Sequence, residues 1–253
     1  MHYQAPQDLL KNRTLLITGA TEGIGHEAAF AYARHGARLI LLGRNQQKLD
    51  HVAAELHHKF GKFPSLFKID FATATAEDYQ ELARHIALVA PTLDGVLHNA
   101  GMLGRIQPLL DTPASLWRQV MQVNLDATYY LTQAIMPLLL NAPNASLIFT
   151  TSSVGRQGRA GWGAYAMSKF ATEGMMQVLA EELNDTNVRV NCINPGGTRT
   201  KMRASAYPEE DAMKLKTPGD IMPLYLWLMG EDSLATNGQS LDAQPGRKAG
   251  PAE

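Results

Sequence analysis

Seven short apolar runs, separated by segments that suit helices, constrain the fold of this chain more than any other feature. The runs begin at residues 14, 37, 65, 94, 146, 188 and 239 and read TLLIT, ARLILL, SLFKI, DGVLH, SLIFTT, VRVNCI and QSLDA. The segments between them predict helices at about 23–35, 45–59, 75–90, 113–140, 162–183 and 219–229. Strands that alternate with helices and are apolar along their whole length are typical of parallel sheets covered on both faces. We therefore predict a doubly wound α/β fold with about seven parallel strands, flanked by helices.

Composition and charge exclude several classes of function. The chain has 253 residues and a formal charge of -1, so it has no global positive field that would attract nucleic acid or an anionic membrane. Its one cysteine, Cys192, lies in a strand-like run and predicts a buried thiol rather than a disulfide. The polar N-terminus, MHYQAPQDLLKNR, lacks the apolar core of a signal peptide, and we expect a cytoplasmic protein.

Membrane and metal sites are not expected either. Residues 127–155 contain no Lys, Arg, Asp or Glu, but the turn cluster NAPN at 141–144 divides them. Neither half reaches the ~20 apolar residues of a membrane span. The histidines show no metal-ligand spacing, so we predict no metal site.

A glycine-rich stretch, TGATEGIG at 18–25, joins the first predicted strand to the first predicted helix. Such a turn lets backbone N–H groups face an anion, and the helix N-terminus adds positive potential. In a βαβ unit the usual occupant is the pyrophosphate of a dinucleotide. The glycine spacing fits the general fingerprint loosely, and a plain tight turn stays open as the alternative. The candidate cofactor contacts here are Gly19, Thr21, Glu22, Gly23, Ile24 and Gly25.

The residues after the second predicted strand favour one cofactor over another. NAD-binding proteins usually carry an acidic residue there, which binds the ribose 2′-hydroxyl. In this chain Gly43 stands at that place, Arg44 follows, and Lys48 comes one turn later. Arg44 offers a planar donor fork for a 2′-phosphate, so we predict NADP(H) in preference to NAD(H). Glu22, inside the glycine turn, counts against this, because some NADP-binding proteins have a basic residue there.

Four further segments follow predicted strands or lie in the helices after them: HNAG at 98–101, VNL at 123–125, TTSSVG at 150–155 and YAMSK at 165–169. Together with the glycine turn, they resemble the short-chain dehydrogenase/reductase family over residues 14–202. Within that family, GRQGRA, SKFATEGMMQVLA, NPGGTRT and DAQPGRK are similar to the YciK-like bacterial oxidoreductases. The resemblance implies a single Rossmann-like NADP-binding domain over residues 1–253. It also implies reversible NADP(H)-dependent reduction of a carbonyl group to an alcohol.

Tyr165 is the general acid/base that the resemblance implies. Lys169 lies four residues later on the same helix face, and we expect its ammonium to lower the pKa of the phenol. Ser152, thirteen residues before Tyr165, would hydrogen-bond the substrate oxygen. Its neighbours Thr151 and Ser153 should point away, since adjacent strand residues face opposite sides. The resemblance implies that the fourth catalytic residue, Asn124, holds a water that links the lysine to solvent.

The resemblance also assigns residues to the cofactor. Asp70 would accept a hydrogen bond from the adenine amine, although a helix N-cap is its alternative role. Where the family commonly has an asparagine, this chain has His98, which we interpret as structural. The cofactor contacts implied beyond the glycine turn are Arg44, Asp70, Phe71, Asn99, Ala100, Gly101, Tyr165, Lys169, Pro195, Gly196, Thr198 and Thr200.

Loops and helix faces carry the remaining predictions. Residues 197–217 are predicted to be a mobile substrate lid, and the tail at 244–253 should fray or lie on the surface. Long apolar helices predict a homodimer or homotetramer, as the family has. A non-catalytic NADP-binding redox sensor is the alternative function. Basic residues cluster in the loops near the site and suggest an anionic group on the substrate: Arg105, Arg156, Arg159, Arg199, Lys201 and Arg203.

Overall fold

A seven-stranded sheet forms the centre of the protein, whose computed structural model describes residues 3–251. Every neighbouring pair of strands is parallel. The spatial order is β3-β2-β1-β4-β5-β6-β7, so the direction of winding reverses between β1 and β4. The predicted doubly wound fold is confirmed. The strands are β1 (Thr14–Thr18), β2 (Arg38–Gly43), β3 (Ser65–Lys68), β4 (Gly95–His98), β5 (Ala145–Thr150), β6 (Val188–Asn194) and β7 (Ser240–Asp242).

Helices cover both faces of the sheet. They are α1 (Gly23–Arg34), α2 (Gln46–Phe60), α3 (Ala76–Val89), α4 (Ala114–Met121), α5 (Ala127–Leu140), α6 (Gly163–Glu182), α7 (Lys201–Ala206) and α8 (Pro218–Met229). On one face, Leu15 and Ile17 of β1 join a core with α1, α2 and α8. On the other face, Leu16 joins a core with α3, α5 and α6. This alternation along one strand is what two-sided burial requires.

Short-range signals fix most helix ends. The Asn45 side chain accepts a hydrogen bond from Lys48 N at 3.0 Å and starts α2, while Thr75 and Thr217 start α3 and α8 through capping boxes. At α1 the pattern differs, because the side chain of Glu22 caps no N–H group of the first turn. Those N–H groups stay available to another acceptor.

Two segments differ from the sequence-based expectation. The helix expected at 113–140 is divided by a π-helical turn, Gln122–Asp126, which contains Asn124. Residues 197–217 are not a plain loop, since they contain α7 and the 3₁₀ turn Ala212–Lys214. Within the described part of the chain, every helix is too short or too polar to cross a lipid bilayer.

Candidate active site

A cavity of about 1010 Å³ opens where β1 to β6 end. Parallel strands deliver the residues after their carboxyl ends to this one edge, which is the usual place for ligands in such sheets. Of the sequence-predicted site residues, Gly25 and Asn124 are not in the wall. The others line it: Gly19, Thr21, Glu22, Gly23, Ile24, Arg44, Asp70, Phe71, Asn99, Ala100, Gly101, Ser152, Tyr165, Lys169, Pro195, Gly196, Thr198 and Thr200.

The glycine turn meets two different physical demands. Gly19 and Gly23 have φ angles of +66° and +59°, a backbone region that side chains disfavour. At Gly25 the demand is space, because an added Cβ would overlap the Gly19 carbonyl oxygen and lie 2.6 Å from Asn99 Nδ2. The turn and the segment after β4 are thus packed backbone to backbone. That packing leaves the N-terminus of α1 facing the cavity.

The segment after β4 is held against the glycine turn by hydrogen bonds. Thr18 Oγ1 accepts from the backbone N–H groups of Asn99 and Ala100, both at 3.0 Å. Behind them, His98 is buried and its Nε2 lies 3.0 Å from Thr132 Oγ1. Burial lowers the pKa of His98 to about 3, so the ring is neutral at physiological pH. These contacts support the structural interpretation of His98.

Ser152, Tyr165 and Lys169 share one wall of the cavity. Lys169 lies one turn after Tyr165 on α6, with Nζ at 5.6 Å from the centroid of the tyrosine ring. The same Nζ donates to the carbonyl oxygen of Thr150 at 2.7 Å. Ser152 follows β5 and interacts with the Tyr165 hydroxyl. Three polar groups from the end of β5 and from α6 therefore line the same part of the cavity.

Burial controls the protonation states of Tyr165 and Lys169. It raises the pKa of Tyr165 to about 12, and the hydrogen bond with Ser152 opposes the rise. It lowers the pKa of Lys169 to about 8, against the opposing effects of Cys192 and Glu173. The pKa of the phenol thus lies above its usual value and not below it as expected, because desolvation outweighs the hydrogen bond with Ser152. Desolvation disfavours the charged form of each group, and at neutral pH the phenol keeps its proton.

Asn124 lies behind the wall and joins two segments. Its Oδ1 accepts from Met102 N at 2.7 Å, and its Nδ2 donates to Met102 O and to Ser168 Oγ, both at 2.9 Å. The side chain thereby ties the loop after β4 to α6. π-Helical turns occur frequently at functional sites. The water-holding role of Asn124 stays a prediction.

Thr151 and Ser153, the two neighbours of Ser152, were expected to point away from the site. Both nevertheless lie in the cavity wall. Their hydroxyls are nevertheless in different surroundings. Thr151 is 1% exposed, and Ser153 Oγ accepts from Arg159 Nη2 at 3.4 Å. Ser152 is the one whose hydroxyl interacts with Tyr165.

Comparison with known proteins decides the family. Residues 13–211 match the family model for short chain dehydrogenases. Over 250 residues the chain is 62% identical to the uncharacterized oxidoreductase YciK of Escherichia coli (strain K12), with 99% of each chain covered. The chain belongs to the short-chain dehydrogenase/reductase family. It is therefore an NAD(P)-dependent oxidoreductase.

Two solved short-chain dehydrogenases give the structural comparison. One, from Shigella flexneri 2a str. 301 and complexed with NADP, has a TM-score of 0.93 at 60% identity. The other, from Escherichia coli CFT073 and complexed with NADPH, has a TM-score of 0.93 at 61% identity. In both cases the match covers 95% of this chain and 100% of that chain.

The adenine side of this short-chain dehydrogenase site is open and polar. Arg44 is exposed and lines the cavity after β2. Asp70 is not the N-cap of α3, since Thr75 is; its Oδ1 accepts from Ala72 N at 3.0 Å in a short turn. The Glu22 carboxylate, which had counted against NADP(H), lies 3.7 Å from the ammonium of Lys48 and 3.4 Å from that of Lys201. Its negative charge is thereby balanced within the protein.

Gln244 is among the wall residues that sequence reasoning missed. The residue is buried, and its Nε2 donates to Pro195 O at 2.8 Å and to Gly197 O at 3.1 Å. The tail therefore packs onto the segment after β6, and the prediction that residues 244–253 fray or lie on the surface is wrong for Gln244. Arg247 also lines the cavity, while residues 252 and 253 lie outside the described part. No local signal marks a glutamine before Pro-Gly as buried.

Most of the basic cluster is already paired. Arg203 makes a bidentate ion pair with Glu210, at 2.6 Å for each bond. Arg199 donates to the carbonyl oxygen of Ala212 at 2.7 Å. Arg156 and Lys201 contact carboxylates as well, and Arg105 is not in the wall. Among residues 3–251, Arg159 and Arg199 are the members that line the cavity without an ion pair to a carboxylate, and the Arg199 guanidinium is held by the carbonyl oxygens of Ala212, Met213 and Leu215. Because these carbonyl oxygens already hold Arg199, the anionic-substrate hypothesis now depends mainly on Arg159. In the same described range, no group of three or more His, Cys, Asp or Glu side chains could hold a metal ion.

Proposed function

We propose that the protein reduces a carbonyl group to an alcohol with NADPH, and that Tyr165 supplies the proton. The observation that carries this proposal is the convergence of Ser152, Tyr165 and Lys169 on the cavity that the glycine turn also lines. A phenol, a hydroxyl and an ammonium at one point form a proton-donating site. A protein that only stored a dinucleotide would need no such site.

The cavity fits a dinucleotide diphosphate. Gly19 and Gly23 place backbone without side chains in the cavity wall at the start of α1, and no side chain caps the first turn of that helix. Free N–H groups at a helix N-terminus favour a phosphate. Arg44 would hold the 2′-phosphate and Asp70 the adenine amine, while Pro195, Gly196 and Thr198 would face the nicotinamide. The relatives complexed with NADP and NADPH support the choice of NADP(H).

When bound, NADPH supplies the hydride that reduces the carbonyl carbon. The protein's own part is to bind and polarise the carbonyl oxygen and then to protonate it. Ser152 donates a hydrogen bond to that oxygen, where negative charge develops. Tyr165 gives up its proton, which it holds at neutral pH because burial keeps its pKa at about 12. The ammonium of Lys169, 5.6 Å from the ring centroid, stabilises the phenolate that forms. We propose that Asn124 completes the proton path by holding a water near Lys169.

A substrate panel tests this function. Ketones, aldehydes, quinones and keto acids are offered with NADPH and, in parallel, with NADH. The control is Tyr165→Phe, which removes one oxygen and keeps the ring. We expect turnover of at least one carbonyl class with NADPH, and a loss of ~10²–10⁴ in kcat for the variant with NADPH affinity unchanged.

Two outcomes would count against the proposal in different ways. Equal turnover by Tyr165→Phe and the parent would remove Tyr165 from its role. Thermal stabilisation by NADPH with no oxidation across the whole panel would favour the alternative, an NADP-binding redox sensor.

We also infer a homodimer or homotetramer in the cytoplasm. Large apolar side chains are exposed on α5 and α6: Tyr129, Leu140, Met167, Phe170 and Val178. Exposed apolar side chains grouped on adjacent elements mark interaction surfaces. Light scattering after gel filtration should give two or four times the mass of one chain, and a monomer at micromolar concentration would contradict the inference. The one cysteine, Cys192, is a free buried thiol, which is compatible with a reducing compartment.

A further inference from the structure

A group of charged and polar side chains joins the turn after β5 to α6 and β7. Arg156 follows the 3₁₀ turn Ser153–Gly155 and donates from Nε to Glu173 Oε1 at 3.3 Å and to Ser240 Oγ at 3.0 Å. Its Nη1 donates to Asp242 Oδ1 at 2.8 Å. Ser240 Oγ in turn donates to Glu173 Oε1 at 2.7 Å. We call Arg156, Glu173, Ser240 and Asp242 the Arg156 clamp.

Glu173 is the buried anchor of the Arg156 clamp. Its side chain is 8% exposed, and a carboxylate with so little solvent needs donors within the protein. Arg156 and Ser240 supply them. Glu173 lies one helical turn after Lys169 and two turns after Tyr165. The Arg156 clamp is therefore bonded to α6, the helix that carries Tyr165 and Lys169.

The turn that carries the arginine rests directly on the catalytic lysine. A Cβ added at Gly155 would lie 2.8 Å from the Cβ and the backbone of Lys169. Ser152 immediately precedes this turn, and its carbonyl oxygen accepts from Gly155 N at 2.9 Å. The place of the Ser152 hydroxyl relative to α6 thus depends on how firmly the turn is held there.

At its other end, the Arg156 clamp reaches the segment after β6. Asp242 Oδ1 accepts a second hydrogen bond, from Asn194 Nδ2 at 2.8 Å. Asn194 Oδ1 accepts from Gly196 N at 3.1 Å, and Gly196 lines the cavity. One arginine therefore connects three parts of the cavity wall that lie far apart in sequence.

We propose that Arg156 is a positioning residue, which holds the Ser152 turn against α6 through the buried carboxylate of Glu173. This inference rests on the proposed function, because it assigns to Arg156 the alignment of Ser152 with Tyr165. Arg156 itself need not contact the substrate. Its loss should therefore lower kcat more than it raises the KM for NADPH.

The Arg156 clamp also places a negative charge near the catalytic lysine. Burial lowers the pKa of Lys169 to about 8, whereas Cys192 and Glu173 raise it. Removal of the Glu173 charge should lower it further. The titratable or charged groups that face Lys169 and Glu173 from α6, β6, β7 and the turn after β5 are Tyr165, Cys192, Asp242 and Arg156.

Turnover kinetics test the positioning role of the arginine. We expect Arg156→Ala to lower kcat by roughly tenfold or more, with the KM for NADPH within about twofold and part of the rate restored in Arg156→Lys. Ser240→Ala removes the two hydrogen bonds that the Ser240 hydroxyl makes with Arg156 and Glu173, and it serves where Arg156→Ala fails to fold. Folding of each variant is checked by its thermal melt. A folded Arg156→Ala or Ser240→Ala variant with the parental kcat would overturn the inference, as would a loss confined to KM.

A second readout does not depend on turnover. The ammonium of Lys169 is titrated by nitrogen-detected NMR in the parent and in Glu173→Gln. We expect its pKa to fall by roughly half a unit or more in the variant. The matched control, Glu55→Gln on α2, removes a carboxylate that contacts His26 and His51 instead, and should leave Lys169 unchanged. An unmoved pKa in Glu173→Gln overturns the electrostatic link between Glu173 and Lys169 even when no substrate is turned over, whereas an inactive parent counts against the proposed function.

Discussion

Substitution of Gly25 by alanine tests whether the glycine turn is a binding cradle. An added Cβ would overlap the Gly19 carbonyl oxygen and lie 2.6 Å from Asn99 Nδ2. Ordinary contacts of a Cβ lie at 3.4–4 Å, so both neighbours must move by about 1 Å, which costs about 1–3 kcal/mol as overpacking. For a chain of this length, that corresponds to a fall in Tm of roughly 2–12 °C. The atoms that must move belong to residues of the cavity wall.

The Gly25→Ala substitution should therefore weaken NADPH binding as well as lower the stability of the protein. We expect the Kd for NADPH to rise roughly tenfold or more, equivalent to about 1.4 kcal/mol, as measured by fluorescence titration beside a thermal melt. Gly158→Ala is the control, since a Cβ there meets nothing within 4 Å, and its stability should stay within about 0.5 kcal/mol of the parent. A Gly25→Ala protein with the parental Tm and the parental Kd would refute the reasoning.

Three further predictions concern the charged groups of the site. Arg44→Ala should reduce the preference for NADPH over NADH by roughly 10–100-fold, since a hydrogen bond to a charged group is worth about 1.5–3 kcal/mol; an unchanged ratio of kcat/KM values would contradict this. For reduction, kcat/KM should fall as the pH rises through about 8, because Lys169 then loses its proton while Tyr165, with a pKa of about 12, keeps its own. A profile that is flat between neutral pH and strongly alkaline pH would remove that charge from the mechanism. Arg159→Gln should slow the reduction of keto acids relative to their esters, and equal effects on both would end the anionic-substrate hypothesis.

The fold was accessible from the sequence because its signals are local. Each strand is a short apolar run, and helix starts such as Asn45 and Thr217 are marked by capping residues. The π-helical turn Gln122–Asp126 was not accessible, because residues 113–140 were read as one continuous helix and no residue in them marks such a turn. The short helix α7 was missed because its six residues carry too little apolar periodicity.

Only those residues of the candidate site that belong to sequence motifs could be predicted from the sequence. Ser152, Tyr165 and Lys169 belong to recognisable patterns, and the parallel topology brings them to one edge. Arg156 looked like a loop cation available to substrate, since nothing nearby in sequence identifies its partners. Asp242 lies 86 residues away along the chain, and only the pairing of β6 with β7 brings the two together.

The pKa values of Tyr165 and Lys169 show why residue spacing alone is a poor guide to protonation state. Two residues four apart on a helix suggest an ammonium that draws the proton from a phenol, which would suit an enzyme that oxidises alcohols. In the folded protein both groups are buried, and desolvation favours the neutral form of each. With a pKa of about 12 for Tyr165, the phenol holds its proton at neutral pH and can donate it at once. Accepting a proton would first require forming a buried phenolate. In the proposed reduction, the phenol can therefore donate its proton without prior ionisation of the site.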